Sequence, residues 1–234
     1  MQRIALVGAM EEEMEYYYER TTDRREVREG NFVFSEGMLF GQRVVMAFSG
    51  SGKVSAALTI QKLLDTYEDL AAVLMVGVAG ALKNDLRIGD VVVSEDCAQY
   101  DLDITALGIR RGTIPDTGKR FIEADRHLLH LALQTPQNGH RVVRGRILSG
   151  DRFLTREETF ECGYLFDELE GSAIEMEGAA VAQVCDFNHV PFLIIRTICS
   201  ELEGNQEEQY RNSLNLVARN ASDVVRTVLQ ASFE

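Results

Sequence analysis

The pattern that decides the fold lies in residues 3–13, which read Arg-Ile-Ala-Leu-Val-Gly-Ala-Met-Glu-Glu-Glu. The unbroken apolar run at 4–7 is typical of a strand that is covered on both faces. Gly8 ends this run, and the three acids at 11–13 indicate the first turn of a helix, where carboxylates are stabilised by the helix dipole. The stretch therefore predicts a strand followed directly by a helix.

The same alternation of short apolar runs and longer amphipathic segments continues along the chain. Strands are predicted at 3–8, 32–35, 43–49, 72–76, 90–94, 142–148, 172–175 and 191–198. Helices are predicted at 10–19, 53–67, 126–134, 156–168, 177–187 and 207–229. This order favours an α/β fold, a three-layer α/β/α sandwich with a central mixed sheet, as one domain over 1–234. Hairpin-like strands around Gly30 and Gly41 imply some antiparallel pairing.

Composition narrows the classes of partner. The 234 residues include 24 Lys+Arg and 37 Asp+Glu, a formal net charge of -13, which argues against nucleic acid or an anionic membrane as the main partner. The longest apolar run, 71–82, is shorter than the ~20 residues that span a bilayer. The four cysteines lack C-x-x-C spacing and the four histidines form no ligand motif, so we expect reduced thiols, a cytoplasmic protein and no metal.

Two small-residue segments are candidates for close approach to a ligand. Residues 49–53 read Ser-Gly-Ser-Gly-Lys, but Ala47 and Val54 break the phosphate-loop pattern at both ends. A ligand-binding backbone turn and a plain tight turn therefore both remain open here. Residues 76–82 follow directly after a predicted buried strand. Their small side chains allow either close approach of a ligand to the backbone or tight packing of the sheet against a helix, and both interpretations remain open.

Two later segments carry an aromatic ring and a pair of acids. Phe153, in the turn after a predicted strand, is either core or a ring that stacks on a flat heterocycle. Glu175 and Glu177 end an apolar strand, and buried acids are costly unless they are bonded or functional. We therefore favour a functional role for this pair, such as accepting hydrogen bonds from two adjacent hydroxyls of a ribose.

Six collinear segments resemble the 5'-methylthioadenosine/S-adenosylhomocysteine nucleosidases of the nucleoside phosphorylase/hydrolase superfamily. They are Gly-Ala-Met-Glu-Glu-Glu at 8–13, Ser-Gly-Ser-Gly-Lys-Val at 49–54, Gly-Asp-Val-Val-Val-Ser at 89–94, Asp-Ile-Thr-Ala at 103–106, Ser-Gly-Asp-Arg-Phe at 149–153 and Glu-Met-Glu-Gly-Ala-Ala at 175–180. The resemblance implies a nucleoside phosphorylase-like fold, a homodimer, and hydrolysis of the N-glycosidic bond of an adenine nucleoside with no metal or organic cofactor.

The resemblance also implies residue roles. Glu13 matches the base that activates water, and Arg196 lies beside that water. Glu177 matches the acceptor of the ribose hydroxyls, Phe153 the ring that stacks on the base, and the Leu154 backbone the group at the base's polar edge. The other implied substrate contacts are Met10, Ser51, Val78, Ala79, Gly80, Ile104, Leu107, Pro115, Glu175, Met176 and Tyr210.

The chain departs from the family pattern at Ser200. The family sequence Arg-(Ala/Ser/Thr)-Ile-Ser-Asp becomes Arg-Thr-Ile-Cys-Ser at 196–200, so Ser200 takes the place of the Asp that assists the departing purine. A hydroxyl donates a hydrogen bond but is no acid at neutral pH, and a general acid is typically worth ~10²–10⁴ in rate. Glu201 is the less favoured replacement, because a slip of one residue in an extended segment turns the side chain to the opposite face.

These matches and departures leave three functions open. The leading one is hydrolysis of 5'-methylthioadenosine and S-adenosylhomocysteine. Because Leu107 and Ile109 stand where family aromatics line the 5' pocket, and because Ser200 replaces the acid, a different purine nucleoside, as in futalosine hydrolysis, is the second. A catalytically weakened nucleoside-binding protein is the third.

Overall fold

The structure, a computed structural model, describes residues 2–231, except for the side chains of residues 212–218. The described strands are β1 (Arg3–Gly8), β2 (Thr22–Glu29), β3 (Phe32–Leu39), β4 (Gln42–Phe48), β5 (Leu70–Ala81), β6 (Val91–Gln99), β7 (Ile122–Glu123), β8 (Val142–Ser149), β9 (Ala173–Glu175) and β10 (Phe192–Ser200). The described helices are α1 (Glu11–Arg20), α2 (Lys53–Thr66), α3 (Arg126–Ala132), α4 (Arg156–Glu161), α5 (Tyr164–Asp167), α6 (Gly178–Phe187) and α7 (Gln206–Ala231).

The strands form one mixed sheet in the order β10-β6-β8-β9-β5-β1-β4-β3-β2. Strand β1 lies parallel to β4 and β5, and β5 lies parallel to β10. The chain reverses at Gly30 and Gly41, both with positive φ, to give the antiparallel strands β2, β3 and β4. The mixed sheet and the early antiparallel pairing expected from the sequence are both present. Strand β10 also pairs with β5, so β5, β10, β6, β8 and β9 close into a ring.

The core explains why the apolar runs are unbroken. All nine residues of β10 are buried, as are five of the six in β1, so both faces of these strands are covered. Helix α2 packs against α6, while α7 packs against α1, α3 and β10. Burial of the central strands between helices is the main source of stability for such a sheet. None of the described helices is both long and apolar enough to cross a membrane.

The sequence prediction misses the short strand β7 and differs at two larger elements. Strand β2 reads Thr-Asp-Arg-Arg-Glu-Val-Arg-Glu, which carries no apolar alternation. It forms because it is the edge strand beside β3, where charged side chains face solvent and protect a sheet edge. The single helix predicted at 156–168 is instead α4 and α5, separated by Cys162 and Gly163. Cys162 has φ -85° and ψ 54°, a conformation that ends the first helix.

The parallel strands bring the sequence motifs to one edge of the sheet. Because β1, β5 and β10 run in the same direction, their carboxyl ends meet there. Residues 77–81 and 196–200 form the ends of β5 and β10, and residues 8–13 continue from the end of β1 into α1. In open α/β sheets ligands bind beyond the carboxyl ends of strands.

Candidate active site

A cavity of about 190 Å³ lies at this edge of the sheet. Of the residues assigned by resemblance, its wall includes Met10, Glu13, Ser51, Val78, Ala79, Gly80, Phe153, Leu154, Glu175, Met176, Glu177, Ser200 and Tyr210. The wall combines carboxylates at one end with aromatic and small apolar groups at the other. No three His, Cys, Asp or Glu side chains among the described residues are grouped so that they could hold a metal ion.

Glu13 is held by backbone donors. Its Oε2 accepts hydrogen bonds from the N–H groups of Ala9, at 2.7 Å, and Met10, at 3.0 Å, and its Oε1 accepts one from Val78 at 3.2 Å. The side chain is buried, and this burial raises the pKa of the carboxyl, whereas Arg196 and the three donors act to lower it. A carboxylate with a raised pKa and a fixed orientation is suited to accept a proton from a water molecule.

Arg196 joins the carboxylates beneath the cavity. Its guanidinium is only 1% exposed. Nη1 donates to the Val76 carbonyl at 3.2 Å, and Nη2 donates to the carboxylates of Glu175 and Glu177, the latter at 3.4 Å. Since burying an unpaired charge is costly, this arginine and the acids around it depend on each other.

Glu175 has a structural environment that differs from its assigned role as a substrate contact. Its carboxylate accepts hydrogen bonds from Ser149 Oγ, from the N–H groups of Glu177 and Gly178, and from Arg196. Its side chain is 2% exposed, although the residue borders the cavity. With its oxygens occupied by protein donors, Glu175 positions Arg196 and the start of α6.

Glu177 presents its carboxylate at the cavity from the N-cap position of α6. Oε1 accepts a hydrogen bond from the Gly52 N–H at 2.8 Å, so the glycine-rich turn at 49–53 holds this acid. Burial, together with the negative charge of Glu175, raises the pKa of Glu177 to about 7. The group is therefore half-ionised near neutral pH and accepts hydrogen bonds most strongly above it.

The other end of the cavity suits a flat, uncharged group. The rings of Phe153 and Tyr210 meet edge to face, with centroids 5.8 Å apart. Leu154 is buried, and its backbone N–H and C=O make no hydrogen bond to any other described residue. These two backbone groups are free to bond to a ligand edge that offers both an acceptor and a donor.

The side chains of Ser200 and Glu201 lie in different surroundings. Ser200 is buried in the cavity wall, and a Cβ on Gly80 would lie 3.2 Å from its Oγ. Glu201 is not among the described wall residues; its Oε1 accepts a hydrogen bond from the Ile88 N–H at 3.0 Å. The hydroxyl therefore faces the cavity, and the adjacent carboxylate bonds to a different segment.

Three of the assigned substrate contacts lie elsewhere. Among the residues described, the cavity wall includes neither Ile104 nor Leu107 nor Pro115. Leu107 is 78% exposed, at the end of the 3₁₀ turn Thr105–Leu107. The segment after β6 leaves the sheet and carries these residues away from the cavity of their own chain, so their role as substrate contacts stays a prediction.

Two contributors were missed by the sequence reasoning. Ser149 is fully buried, bonds to Glu175 and accepts a hydrogen bond from the Ala179 N–H at 2.7 Å. At Gly77, an added Cβ would lie 1.8 Å from Arg196 Nη1 and 2.9 Å from Glu13 Oε1. The small-residue run at 76–82 was the available signal, but which glycine makes room for the arginine depends on the pairing of β5 with β10.

Comparison with known proteins identifies relatives of this chain. The model of the phosphorylase superfamily matches residues 3–230. A 5'-methylthioadenosine/S-adenosylhomocysteine nucleosidase from Haemophilus influenzae (strain PittEE) is 35% identical over 226 residues, which cover 95% of this chain and 96% of the relative.

Solved structures agree with this match. The crystal structure of 5'-methylthioadenosine/S-adenosylhomocysteine nucleosidase from Neisseria meningitidis, in complex with methylthio-immucillin-A, has a TM-score of 0.91 and 33% identity, covering 99% of this chain and 100% of that one. Futalosine hydrolase of Helicobacter pylori strain 26695 has a TM-score of 0.90 and 31% identity, covering 98% and 97%. The likeness confirms the mixed α/β, nucleoside phosphorylase-like fold.

Proposed function

Because the chain belongs to the 5'-methylthioadenosine/S-adenosylhomocysteine nucleosidase family of the phosphorylase superfamily, we propose that it hydrolyses these two nucleosides to free adenine and the 5-thioribose product. The observation that carries the proposal is the buried Glu13, fixed by three backbone donors at the wall of a cavity that also holds Glu177. No organic cofactor or metal takes part in the proposed reaction.

In the proposed reaction the carboxylate end of the cavity binds the sugar. Glu13 takes a proton from water while the water oxygen bonds to C1' of the ribose. The bond from C1' to the purine nitrogen breaks, and its electron pair leaves with the base. Positive charge develops on the ribose in the transition state, and the carboxylates of Glu13 and Glu177 stabilise it electrostatically. Glu177 also accepts hydrogen bonds from the ribose hydroxyls.

The aromatic end of the cavity binds the base in this proposal. The base stacks on Phe153, and its polar edge bonds to the free N–H and C=O of Leu154. As the base leaves it takes up a proton, which Ser200 cannot supply as an acid at neutral pH. Ser200 instead donates a hydrogen bond to the base, and the proton comes from solvent.

The decisive assay is release of adenine from 5'-methylthioadenosine and from S-adenosylhomocysteine by the purified protein. Release well above that of the Glu13→Gln variant supports the proposal. Equal rates for the two proteins contradict the proposal, since Glu13 would then contribute nothing to adenine release.

A second candidate substrate is another purine nucleoside of the futalosine type. Two observations favour it: the hydroxyl of Ser200 in the cavity wall and the likeness to futalosine hydrolase with a TM-score of 0.90. A base that departs without a strong acid is compatible with Ser200. A panel of nucleosides separates the candidates, and a preference for 5'-methylthioadenosine over all others refutes this one.

Replacement of Ser200 by Asp tests whether the site lacks an acid. We expect Ser200→Asp to raise kcat for 5'-methylthioadenosine at least tenfold, as general acids contribute ~10²–10⁴. The matched control is Ser200→Asn, which adds a polar group of the same shape without an acid. A kcat that falls in Ser200→Asp would show that the hydroxyl is the better partner of the natural leaving base. Tight nucleoside binding without product in the wild type would instead favour a catalytically weakened binding protein.

The pKa of Glu177 predicts a pH dependence of binding. Its carboxyl loses a proton as the pH rises through about 7, and only the anion accepts two ribose hydroxyls well. We therefore expect nucleoside affinity, measured by calorimetry in the Glu13→Gln background, to increase between pH 6 and 8 by about tenfold. Adding Glu177→Gln should remove the dependence, and an unchanged pH profile in that double variant would contradict the assignment.

The same raised pKa affects stability in the absence of ligand. Between its ordinary value of 4.5 and about 7, the folded state keeps a proton at Glu177 that the unfolded chain has lost. The free energy of unfolding therefore falls as the pH rises through this window.

A homodimer is part of the proposal, and an exposed apolar face supports it. On α2, Val54 is 71% exposed and Leu58 is 58% exposed, one turn apart. This helix begins at Lys53, whose Nζ bonds to Asp101 at 2.6 Å, in the segment that leads to the exposed Leu107. A second copy on this face would cover Leu107 beside the glycine-rich turn of the site.

Charges on that face should therefore dissociate the protein. We expect Val54→Asp/Leu58→Asp to weaken the dimer by at least ~100-fold, because burying two carboxylates without partners costs several kcal/mol. Sedimentation velocity measures the change. Leu133→Asp, at another exposed apolar position, is the control and should leave the mass unchanged. A wild-type monomer, or a dimer that tolerates both charges, would contradict the assignment.

A further inference from the structure

A second, more open cavity adjoins the first. It has a volume of about 790 Å³ and lies between the start of α4 and the start of α7. Three side chains, Phe153, Gln206 and Tyr210, line both cavities. We call this second cavity the α4–α7 groove, and these three side chains form its boundary with the candidate active site.

Gln206 at this boundary is a largely buried residue whose side-chain amide has no partner among the described residues. The residue is 7% exposed and is the first of α7. Its side-chain amide makes no hydrogen bond to another described residue, whereas the neighbouring Asn205 and Gln209 both do. The amide is not among the fully enclosed, unbonded side-chain atoms of the described residues, so it is reached from the cavities and is available to a group that sits at the boundary.

The groove adjoins the aromatic end of the active site, where the proposed function places the base. None of the described groove residues is one of the carboxylates Glu13, Glu175 and Glu177. The unpaired backbone N–H and C=O of Leu154 mark where the polar edge of the base lies, and Thr155, the next residue, lines the groove. A substituent on that edge of a bound base therefore points toward the groove.

The lining of the groove favours a polar, uncharged group. Its charges balance: Glu207 pairs with Arg211 at 2.6 Å, and Arg156 is next to Glu157. The remaining polar lining consists of amides, at Asn205 and Gln206, and hydroxyls, at Thr155 and Tyr210. Such groups donate and accept hydrogen bonds but attract neither a cation nor an anion.

We propose that the α4–α7 groove is a subsite for a polar, uncharged substituent on the hydrogen-bonding edge of the purine, such as a hydroxyalkyl group on its 6-amino nitrogen, with Gln206 bonding to it at the boundary. The inference rests on the proposed function and extends it to a substrate class: nucleosides with a modified base. It requires that the pocket for the base be open where a pocket for unmodified adenine would be closed.

Calorimetry with free bases tests this directly, because it does not depend on turnover. The probes are adenine, N6-(2-hydroxyethyl)adenine and N6-carboxymethyladenine, bound to the full chain. We expect the hydroxyethyl base to bind at least as tightly as adenine, and the carboxymethyl base to bind more weakly than the hydroxyethyl base.

A variant then locates the contact. Gln206→Leu keeps the volume of the side chain and removes its amide, so it should lower the affinity for the hydroxyethyl base relative to adenine by up to about tenfold, the range for one lost hydrogen bond. Glu208→Leu, on the same helix turn but outside the described lining of both cavities, is the matched control and should leave that ratio unchanged.

The failures are distinguishable. If adenine binds and the hydroxyethyl base binds more than tenfold more weakly, the groove is closed to substituents and only this inference is overturned. A preference for the carboxymethyl base overturns the uncharged class, and an unaltered ratio in Gln206→Leu overturns the role of that amide. If adenine itself does not bind, the proposed function fails and the subsite fails with it.

Discussion

Glu13→Gln is expected to reduce kcat for 5'-methylthioadenosine by about 10²–10⁴, the contribution of a general base. The amide cannot take the proton of the attacking water. It also cannot satisfy Ala9, Met10 and Val78 at once, because one of its two polar atoms is a donor that faces backbone N–H groups. The measurement is the steady-state release of adenine at saturating substrate.

The neighbouring acid provides the control. Glu12 is exposed on the same helix turn, and Glu12→Gln removes an equal charge without touching the cavity. Its kcat should remain within about twofold of the wild type, since surface substitutions have small effects. If Glu12→Gln were as damaging as Glu13→Gln, the loss would reflect the charge of the helix start and not a base in the site.

Gly77→Ala is expected to reduce both stability and turnover, because the added methyl group displaces Arg196 beneath the cavity. The added Cβ would lie 1.8 Å from Arg196 Nη1, far inside contact distance, and 2.9 Å from Glu13 Oε1. Arg196 must move, and its pairing with Glu175 and Glu177 must change. We expect the free energy of unfolding to fall by about 1–3 kcal/mol, as for overpacked cores. We expect kcat/KM to fall by ~10²-fold, because displacement of a positioned group by about 1 Å has that effect.

A glycine with free space around it separates this clash from a general effect of alanine. At Gly163 an added Cβ would meet only Asp167 Oδ2, at 3.9 Å. Gly163→Ala should retain both the melting temperature and kcat/KM within experimental error or slightly raise the former. A folded Gly77→Ala protein with wild-type kcat/KM would mean that the position of Arg196 does not matter for turnover.

Much of the fold and part of the site could be predicted from local sequence. Strands β1, β4 and β10 appear at the apolar runs 4–7, 44–48 and 192–195, because burial on both faces favours such runs. Glu177 was favoured because acids at the end of a buried strand are costly without a function, whereas Glu13 was chosen among three adjacent acids only by the family resemblance; both lie in the cavity wall. Strand β2 was missed since its pairing with β3, and not its composition, makes it a strand.

The sequence by itself determined the order of strands and helices, the family, and the acids at the strand ends, because hydrophobic periodicity and motif spacing are local properties of a chain. Only the tertiary structure decided which of these groups meet. The parallel pairing of β5 with β10 sets Arg196 beside Gly77 and Ser200 beside Gly80, and it turns Glu201 away toward Ile88. Contacts between residues more than a hundred positions apart follow from strand order and register, which no local pattern encodes.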